Sequence, residues 1–178
     1  MRKIVITSIV ALTVVAAPAF AKGKKASSKQ MSDQAFVTKA AEGGMAEVEL
    51  GKMAQEKGTS QQVKDFGQRM VTDHSKANDE LKSLAQSKNI TLPSQVGPHE
   101  KATMDRLSKL SGAAFDRAYM QAMLMDHKKD VNEFRHESMA GKDSDVKSFA
   151  SKTLPTLEDH LKMAQDANRA VGTTGTKK

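Results

Sequence analysis

Three Asp-His dipeptides are the residues of this chain whose type and spacing could support chemistry. Each lies deep inside a stretch that has the composition of a helix, and the only other histidines are His99 and His136. An imidazole inside a protein can satisfy a hydrogen bond or bind a transition metal. The three pairs that the fold must position are Asp73-His74, Asp126-His127 and Asp159-His160.

The surroundings of the first two pairs repeat. From Phe66 to Leu81, and again from Tyr119 to Phe134, the order is aromatic, Gln, Met, Asp, His, Lys, Glu and an apolar residue, at identical spacing. A shorter echo links residues 63–66 (Val-Lys-Asp-Phe) with residues 146–149 (Val-Lys-Ser-Phe), upstream of the third histidine. Such self-similarity indicates a helical unit that is used more than once.

The elements that must carry these residues are helices. Apolar residues recur at intervals of three and four, and no stretch alternates with the period of a strand. Caps, glycines and prolines divide the pattern into two antiparallel hairpins joined by a crossover with a short helix, an all-α four-helix bundle. Helix A is expected to begin at a cap, Ser32 or Asp33, and to end at Lys57, and helix B follows the Thr59-Ser60 turn and ends at Asn89. The short helix is expected from Pro98 to Leu110 and helix C from Ala113 to Ala140. Helix D is expected to begin at a cap, Asp143 or Ser144, and to end at Val171.

Each long helix carries one ionisable residue on its apolar seam: Glu47, His74, His127 and His160. Within a hairpin these residues differ in height by about one helical turn, near 6 Å, which side chains can bridge. Because unpaired buried polar groups are costly, the four side chains must find partners. They could form a site for a divalent transition metal such as Zn, Fe, Mn or Cu. The alternative is a metal-free polar layer of hydrogen bonds that fixes the helix register.

Residues next to the histidines could support such a site. The aspartates of the dipeptides point about 100° away from the seam, so they suit orienting or surface roles better than direct ligation. A methionine lies one turn from each histidine, which adds copper as a candidate, although Met also fills irregular helical cores. The residues assigned as orienting partners or alternative ligands are Asp73, Asp126, Met70, Met123 and Met163.

The N-terminus has the pattern of an export signal. Arg2 and Lys3 precede an apolar stretch, and residues 19–21 (Ala-Phe-Ala) form a cleavage site, so we expect cleavage after Ala21 and a periplasmic or secreted location. The expected organisation is a signal peptide (1–21), a basic disordered tail (22–31), the bundle domain (32–171) and a disordered C-terminal tail (172–178). With no cysteine in the chain, packing must provide the stability.

The formal net charge of +7 does not predict nucleic-acid binding. Eight basic residues lie in the signal and the tails. The bundle then contains the remaining 20 basic residues and all 21 acidic residues. The folded part is therefore near neutral, while the basic tails could contact anionic envelope polymers weakly. No stretch of the mature chain is apolar enough to span a membrane, and the sequence does not indicate an oligomeric state.

Four segments of the chain together resemble a known family. They are residues 41–51 (Ala-Glu-Gly-Gly-Met-Ala-Glu-Val-Glu-Leu-Gly), Val63-Lys-x-Phe with Met-x-x-Asp-His74, Gly112 with Phe-Asp and His127, and Leu154-Pro-x-Leu-x-x-His160. From about Asp33 to Ala170 the chain is similar to a bacterial exported family defined as domain of unknown function 4142, whose members are often labelled outer-membrane proteins. The resemblance implies a ferritin-like four-helix bundle with a long crossover, and it implies no established activity.

The ligand pattern separates this chain from ferritin-like di-iron proteins. Those proteins use a Glu from each of two helices and a Glu-x-x-His from each of the other two. This chain has one Glu-x-x-His, Glu133 to His136, displaced from the seam, and one seam carboxylate, which disfavours iron oxidation or storage. The leading hypothesis is non-catalytic metal binding. The alternative is a structural, interaction or envelope-stress protein without metal, and an enzyme would also need an open ligand position and a substrate channel.

Overall fold

The structure, a computed structural model, describes residues 32–173. The predicted signal peptide, the basic tail at 22–31 and residues 174–178 lie outside the described residues. Within this part of the chain there are five α-helices and no strand, which confirms the all-α prediction. The helices are α1 (Asp33–Lys57), α2 (Gln61–Ser87), α3 (Pro98–Ser108), α4 (Gly112–Ala140) and α5 (Ser144–Thr173).

Local signals determine most helix ends. Ser32 Oγ accepts a hydrogen bond from the Ala35 N–H, and Asp143 Oδ1 accepts from Val146 N–H, so both predicted caps form. Helix α2 ends at Ser87, two residues before the predicted end at Asn89. Asn89 has a φ of 55°, a left-handed conformation that terminates a helix.

Two contacts define the topology of the bundle. The Thr59 N–H donates to Asp116 Oδ1 (3.0 Å), so α4 begins at the end of the bundle where α2 begins. Lys88 Nζ donates to Asp143 Oδ2 (2.7 Å), so α2 ends where α5 begins. The crossover from 88 to 111 must therefore run the length of the bundle, and α3 packs on α1 and α4 along the way. The hairpins meet through α1 with α4 and α2 with α5, which confirms the predicted two-hairpin arrangement.

An aspartate from each hairpin holds the turn of the other hairpin. Asp116, near the start of α4, accepts hydrogen bonds from the N–H groups of Thr59 and Ser60 in the α1–α2 turn. Asp33, at the start of α1, accepts from the N–H groups of Lys142 and Asp143 in the α4–α5 turn. These bonds satisfy backbone donors that a helix start leaves without partners.

The apolar core consists of two clusters with the seam residues between them. One cluster includes Leu50, Phe66, Met120 and Ala164, and the other includes Phe36, Leu81, Phe134 and Leu157. On every long helix the ionisable residue falls between members of the two clusters along the sequence. The polar groups thus form a single layer across the middle of the bundle.

Helices α1 and α2 approach most closely where two glycines face each other. A Cβ on Gly51 would lie 2.6 Å from the Gly67 carbonyl oxygen, and a Cβ on Gly67 would lie 2.7 Å from the Gly51 carbonyl oxygen. Any side chain at either position would therefore push the helices apart. Gly43 differs, because nothing lies within 4 Å of the position its Cβ would take. None of the described helices combines the length and hydropathy needed to cross a bilayer.

Candidate metal centre

The four seam residues meet in the middle of the bundle, one from each long helix. The exposed fractions of His127, His160, Glu47 and His74 are 0%, 0%, 2% and 5%. One ring nitrogen from each histidine lies within 4.8 Å of the corresponding nitrogens of the other two. The ring centroids are 5.2 to 5.8 Å apart. The fold therefore gathers three imidazoles into one buried cluster.

Each imidazole is held by a hydrogen bond at one nitrogen only. His74 Nδ1 lies 2.9 Å from Glu47 Oε2, and His160 Nε2 lies 2.8 Å from Asp73 Oδ2. His127 Nδ1 lies 3.0 Å from the backbone oxygen of Met123. Carboxylates and backbone carbonyls are the partners that usually orient metal-binding histidines through the nitrogen that does not bind the metal.

The other nitrogen of each ring has no hydrogen-bond partner among residues 32–173. These atoms are His74 Nε2, His127 Nε2 and His160 Nδ1. Glu47 Oε1 is also buried without a hydrogen-bond partner. Glu47 Oε1 lies 3.4 Å from His127 Nε2, but without hydrogen-bond geometry. A buried polar atom without a partner costs about 1 to 3 kcal/mol. A closed polar layer would leave no such atoms, whereas a bound ion would use them.

The charges in the layer suit cation binding. Burial would raise the pKa of Glu47, but the charges of His74 and His127 lower it to about 2. Burial lowers the pKa of His127, and it lowers the pKa of His160 to about 4 despite the hydrogen bond that His160 donates to the Asp73 carboxylate. Burial would also lower the pKa of His74, but the Glu47 carboxylate raises it. The lowered pKa values favour an ionised Glu47 and neutral His127 and His160, the forms that bind metals, whereas the raised pKa of His74 favours a proton that a metal ion would have to displace.

Asp73 connects two helices at the edge of the cluster. Asp73 lies on α2, and its carboxylate accepts a hydrogen bond from His160 on α5. The same carboxylate also pairs with Arg69 Nε at 2.5 Å. The structure thus brings Asp73 into contact with a seam histidine of the other hairpin, and its orienting role stays a prediction. Asp159, the aspartate that precedes His160, is exposed on α5.

The methionines are placed unequally. Met70 and Met123 are buried in the cluster that contains Leu50, and Met123 contacts His127 through its backbone oxygen. Met163 is 36% exposed, so the structure places it on the surface of α5. His99 and His136 are exposed and lie outside the imidazole cluster.

A group of carboxylates lies beside the imidazoles, and the sequence analysis missed one of its members. Glu47, Asp126 and Asp130 each offer an oxygen, and these atoms lie within 4.8 Å of one another. Burial and the Glu47 charge raise the pKa of Asp126 to about 7 and also raise the pKa of Asp130. The spacing of Asp126 and Asp130, one turn apart on α4, was the available signal.

A small cavity links this layer to the surface. Its lining includes buried His74 and Glu47, the carboxylates of Asp126 and Asp130, and residues that reach solvent, such as Lys39. Its volume of about 30 Å³ can hold one or two water molecules. The cavity therefore connects His74 and Glu47 with the solvent-exposed side of the bundle near Lys39.

A single aromatic chain runs from the imidazoles into the core. The ring of Phe66 lies 6.0 Å from that of His127 and 6.1 Å from that of Tyr119, in edge-to-face arrangements. Tyr119 in turn stacks on Phe115 at 5.5 Å. The Tyr119 hydroxyl is buried without a hydrogen-bond partner in the described part of the chain.

Comparisons with known proteins match this chain by family and by fold. The profile of the family described as domain of unknown function (DUF4142) matches residues 17–167. Among curated proteins no significant match is found.

Solved structures with the same fold include a metal-bound protein. CopM in its Cu(II)-bound form has a TM-score of 0.67 at 15% identity, covering 79% of this chain and 98% of that chain. The Ag-bound form of CopM has a TM-score of 0.65 at the same identity and coverage. A secreted protein of the DUF305 group from Streptomyces coelicolor has a TM-score of 0.67 at 15% identity, covering 79% and 93%. At this identity the likeness shows a shared helical-bundle fold.

Proposed function

The chain belongs to the DUF4142 family, and we propose that it is an exported bundle protein that binds one transition-metal ion in its central layer. The ligands are His74 Nε2, His127 Nε2 and His160 Nδ1. Glu47 holds His74 through Oε2 and offers Oε1 as a fourth ligand. The observation that carries this proposal is that three converging imidazoles each have one nitrogen bonded and one buried nitrogen without a partner.

The donor set selects the class of ion. Imidazole nitrogens suit zinc, copper and iron, and three histidines with one further ligand form a common zinc arrangement. Copper deserves an equal test, because a protein of the same fold was solved with Cu(II) and with Ag. The three histidines and the carboxylate support this choice without any contribution from the methionine sulfurs.

The proposed role is binding rather than catalysis. Export rests on the signal-like segment 1–21, whose cleavage would release the bundle outside the cytoplasm. The competing explanation, a structural layer without metal, would leave four buried polar atoms without partners. Such atoms are rare in folded proteins and call for a ligand.

Metal content of the purified protein tests the proposal. Residues 22–178, without a histidine tag, would be loaded separately with Zn, Cu, Fe and Mn, desalted, and assayed for metal per chain. We expect close to one retained ion for zinc or copper. His74→Ala and His160→Ala should each abolish retention, and His136→Ala, which removes an exposed histidine of α4, should not. A folded parent protein that retains none of the four ions would contradict the proposal.

A further inference from the structure

The carboxylate group of Glu47, Asp126 and Asp130 lies immediately beside the imidazole cluster. One oxygen from each residue lies within 4.8 Å of the other two, and all three residues line the same cavity as His74. Three carboxylates at this separation would repel one another if all were ionised, and a cation between them would relieve that repulsion.

The positive charge nearby is insufficient to explain the group. Lys129 Nζ lies 3.9 Å from Asp130 Oδ1, but the lysine side chain is 48% exposed. The Asp126 carboxylate has no hydrogen bond or ion pair of 4 Å or less with another residue in the described range. Glu47, itself 2% exposed, keeps its Oε1 without a hydrogen-bond partner. The group therefore offers one buried oxygen without a partner, Glu47 Oε1, beside the carboxylates of the half-buried Asp126 and Asp130.

We infer that Glu47, Asp126 and Asp130 form a second cation site, which takes a divalent ion that prefers oxygen ligands, such as Mn(II). Carboxylates and water are the ligands of such ions, and the cavity can supply the water. Glu47 is shared with the imidazole site, so this inference rests on the proposed function for that residue. The layer would then hold two different ions side by side, one on nitrogen and one on oxygen ligands.

A titration with Mn(II) tests the second site separately from the first. The protein would be loaded with zinc, desalted and titrated with Mn(II), and free Mn(II) would be followed by its EPR signal. We expect about one Mn(II) bound per zinc-loaded chain. Asp130→Asn should weaken Mn(II) binding at least tenfold and leave the retained zinc unchanged. Glu133→Gln, which removes a carboxylate from the same cavity lining but not from the group, should bind Mn(II) as the parent does.

Each result decides one of the two proposals. Retained zinc without bound Mn(II), or an equal loss of Mn(II) in Asp130→Asn and Glu133→Gln, overturns the second site and leaves the proposed function intact. If the protein retains none of the four ions after desalting, the proposed function is overturned, and the same titration of the unloaded protein then decides the second site. If it retains copper but not zinc, the titration is carried out on the copper-loaded protein. Unfolding of each variant in urea provides the fold control, and Asp130→Asn should be about as stable as the parent because the amide replaces a carboxyl group whose ionised form burial already disfavours.

A second readout tests whether the sites are adjacent. With Cu(II) instead of zinc on the imidazoles, Mn(II) on the carboxylates would lie close enough for the two unpaired spins to interact. We expect the Cu(II) EPR signal to broaden or lose intensity as Mn(II) is added, and to stay unchanged in Asp130→Asn. An unchanged Cu(II) signal at full Mn(II) occupancy would place the bound Mn(II) elsewhere and overturn the inference.

Discussion

At the scale of single residues, the nitrogen of each imidazole that is hydrogen-bonded to the protein decides which nitrogen is left to bind a metal. His74 and His127 use Nδ1 for their protein contacts, whereas His160 uses Nε2. His160 therefore presents the opposite nitrogen to the centre, and the Asp73 carboxylate determines that choice. An imidazole that lost this contact could rotate and withdraw its ligand atom.

Replacing Asp73 tests this orienting role. Asp73→Ala should weaken metal binding by about 10- to 100-fold, the usual effect of removing a partner that orients a metal-binding histidine. Competition with a chelator of known affinity would measure the change. Asp159→Ala removes the exposed aspartate directly before His160 and serves as the matched control, with affinity close to that of the parent. Equal effects of the two variants would rule out a specific role for Asp73.

A second residue, far from the site, controls stability as a function of pH. Burial and the neighbouring Asp33 carboxylate raise the pKa of Glu137 from 4.5 to about 7. The folded protein therefore holds a proton that the unfolded chain releases, so this contribution is complete below pH 4.5 and is lost as pH rises through 7. The full effect is on the order of 3 kcal/mol.

Glu137→Gln should remove this pH dependence. Without a titrating group at 137, the free energy of unfolding in urea should fall less between pH 5 and pH 8 than it does in the parent. The variant should also be the more stable of the two at pH 8. Glu158→Gln, which changes an exposed residue of α5 that pairs with Arg135, should keep the slope of the parent. Identical slopes for parent and Glu137→Gln would refute the assignment.

Among the helices, α1 and α2 pack closely because Gly51 and Gly67, which have no side chains, face each other. Gly51→Ala should destabilise the protein by about 1 to 3 kcal/mol, because the new methyl group would overlap the Gly67 carbonyl oxygen. Gly43→Ala, on the same helix, meets nothing within 4 Å and should stabilise by about 0.5 to 1 kcal/mol through helix propensity. Urea unfolding of both variants measures the difference, and effects of the same sign would contradict the packing described.

The helices themselves could be predicted from local signals. Ser32, Pro98 and Asp143 marked the starts correctly, because capping and the geometry of proline act within one turn. The end of α2 was predicted two residues late, because Asn89 takes the left-handed conformation that follows a helix end and the Ile90 N–H bonds back to the Ala85 oxygen, a local stop that apolar spacing alone does not reveal. The seam pattern also predicted which residue of each helix enters the central layer.

Residues beside the seam could not be placed from the sequence. Asp73 and Asp130 both lie off the seam, and whether a flanking residue is buried depends on which helix lies on that side. Asp73 reaches His160 because α5 packs beside α2, and Asp130 enters the carboxylate group because α1 packs beside α4. Helix periodicity describes one helix at a time and contains no information about its neighbours.

For the whole molecule, the central layer joins two hairpins that each supply half of the proposed ligands. Glu47 and His74 come from α1 and α2, and His127 and His160 come from α4 and α5. An unfolded chain cannot assemble the four residues, so a metal would bind the folded state alone. The bound ion would act as a bridge between the hairpins.

Metal should therefore raise the stability of the parent protein. At a free zinc concentration of 100 times the dissociation constant, the expected gain is about 2.7 kcal/mol, and the urea midpoint should move up accordingly. His127→Ala should show no gain, whereas His136→Ala should gain as much as the parent. A parent protein whose midpoint does not respond to zinc or copper would show that the layer contributes to stability without a metal.

The aromatic rings that run from His127 through Phe66 to Tyr119 give the molecule a natural optical probe. Because the chain contains one tyrosine and no tryptophan, all of its intrinsic emission comes from Tyr119. That ring is buried, and only Phe66 separates it from a proposed ligand. Binding of a quenching ion such as Cu(II) at the histidines would reduce the fluorescence of Tyr119, whereas binding of zinc would not. Metal binding at this site can therefore be followed without an added label.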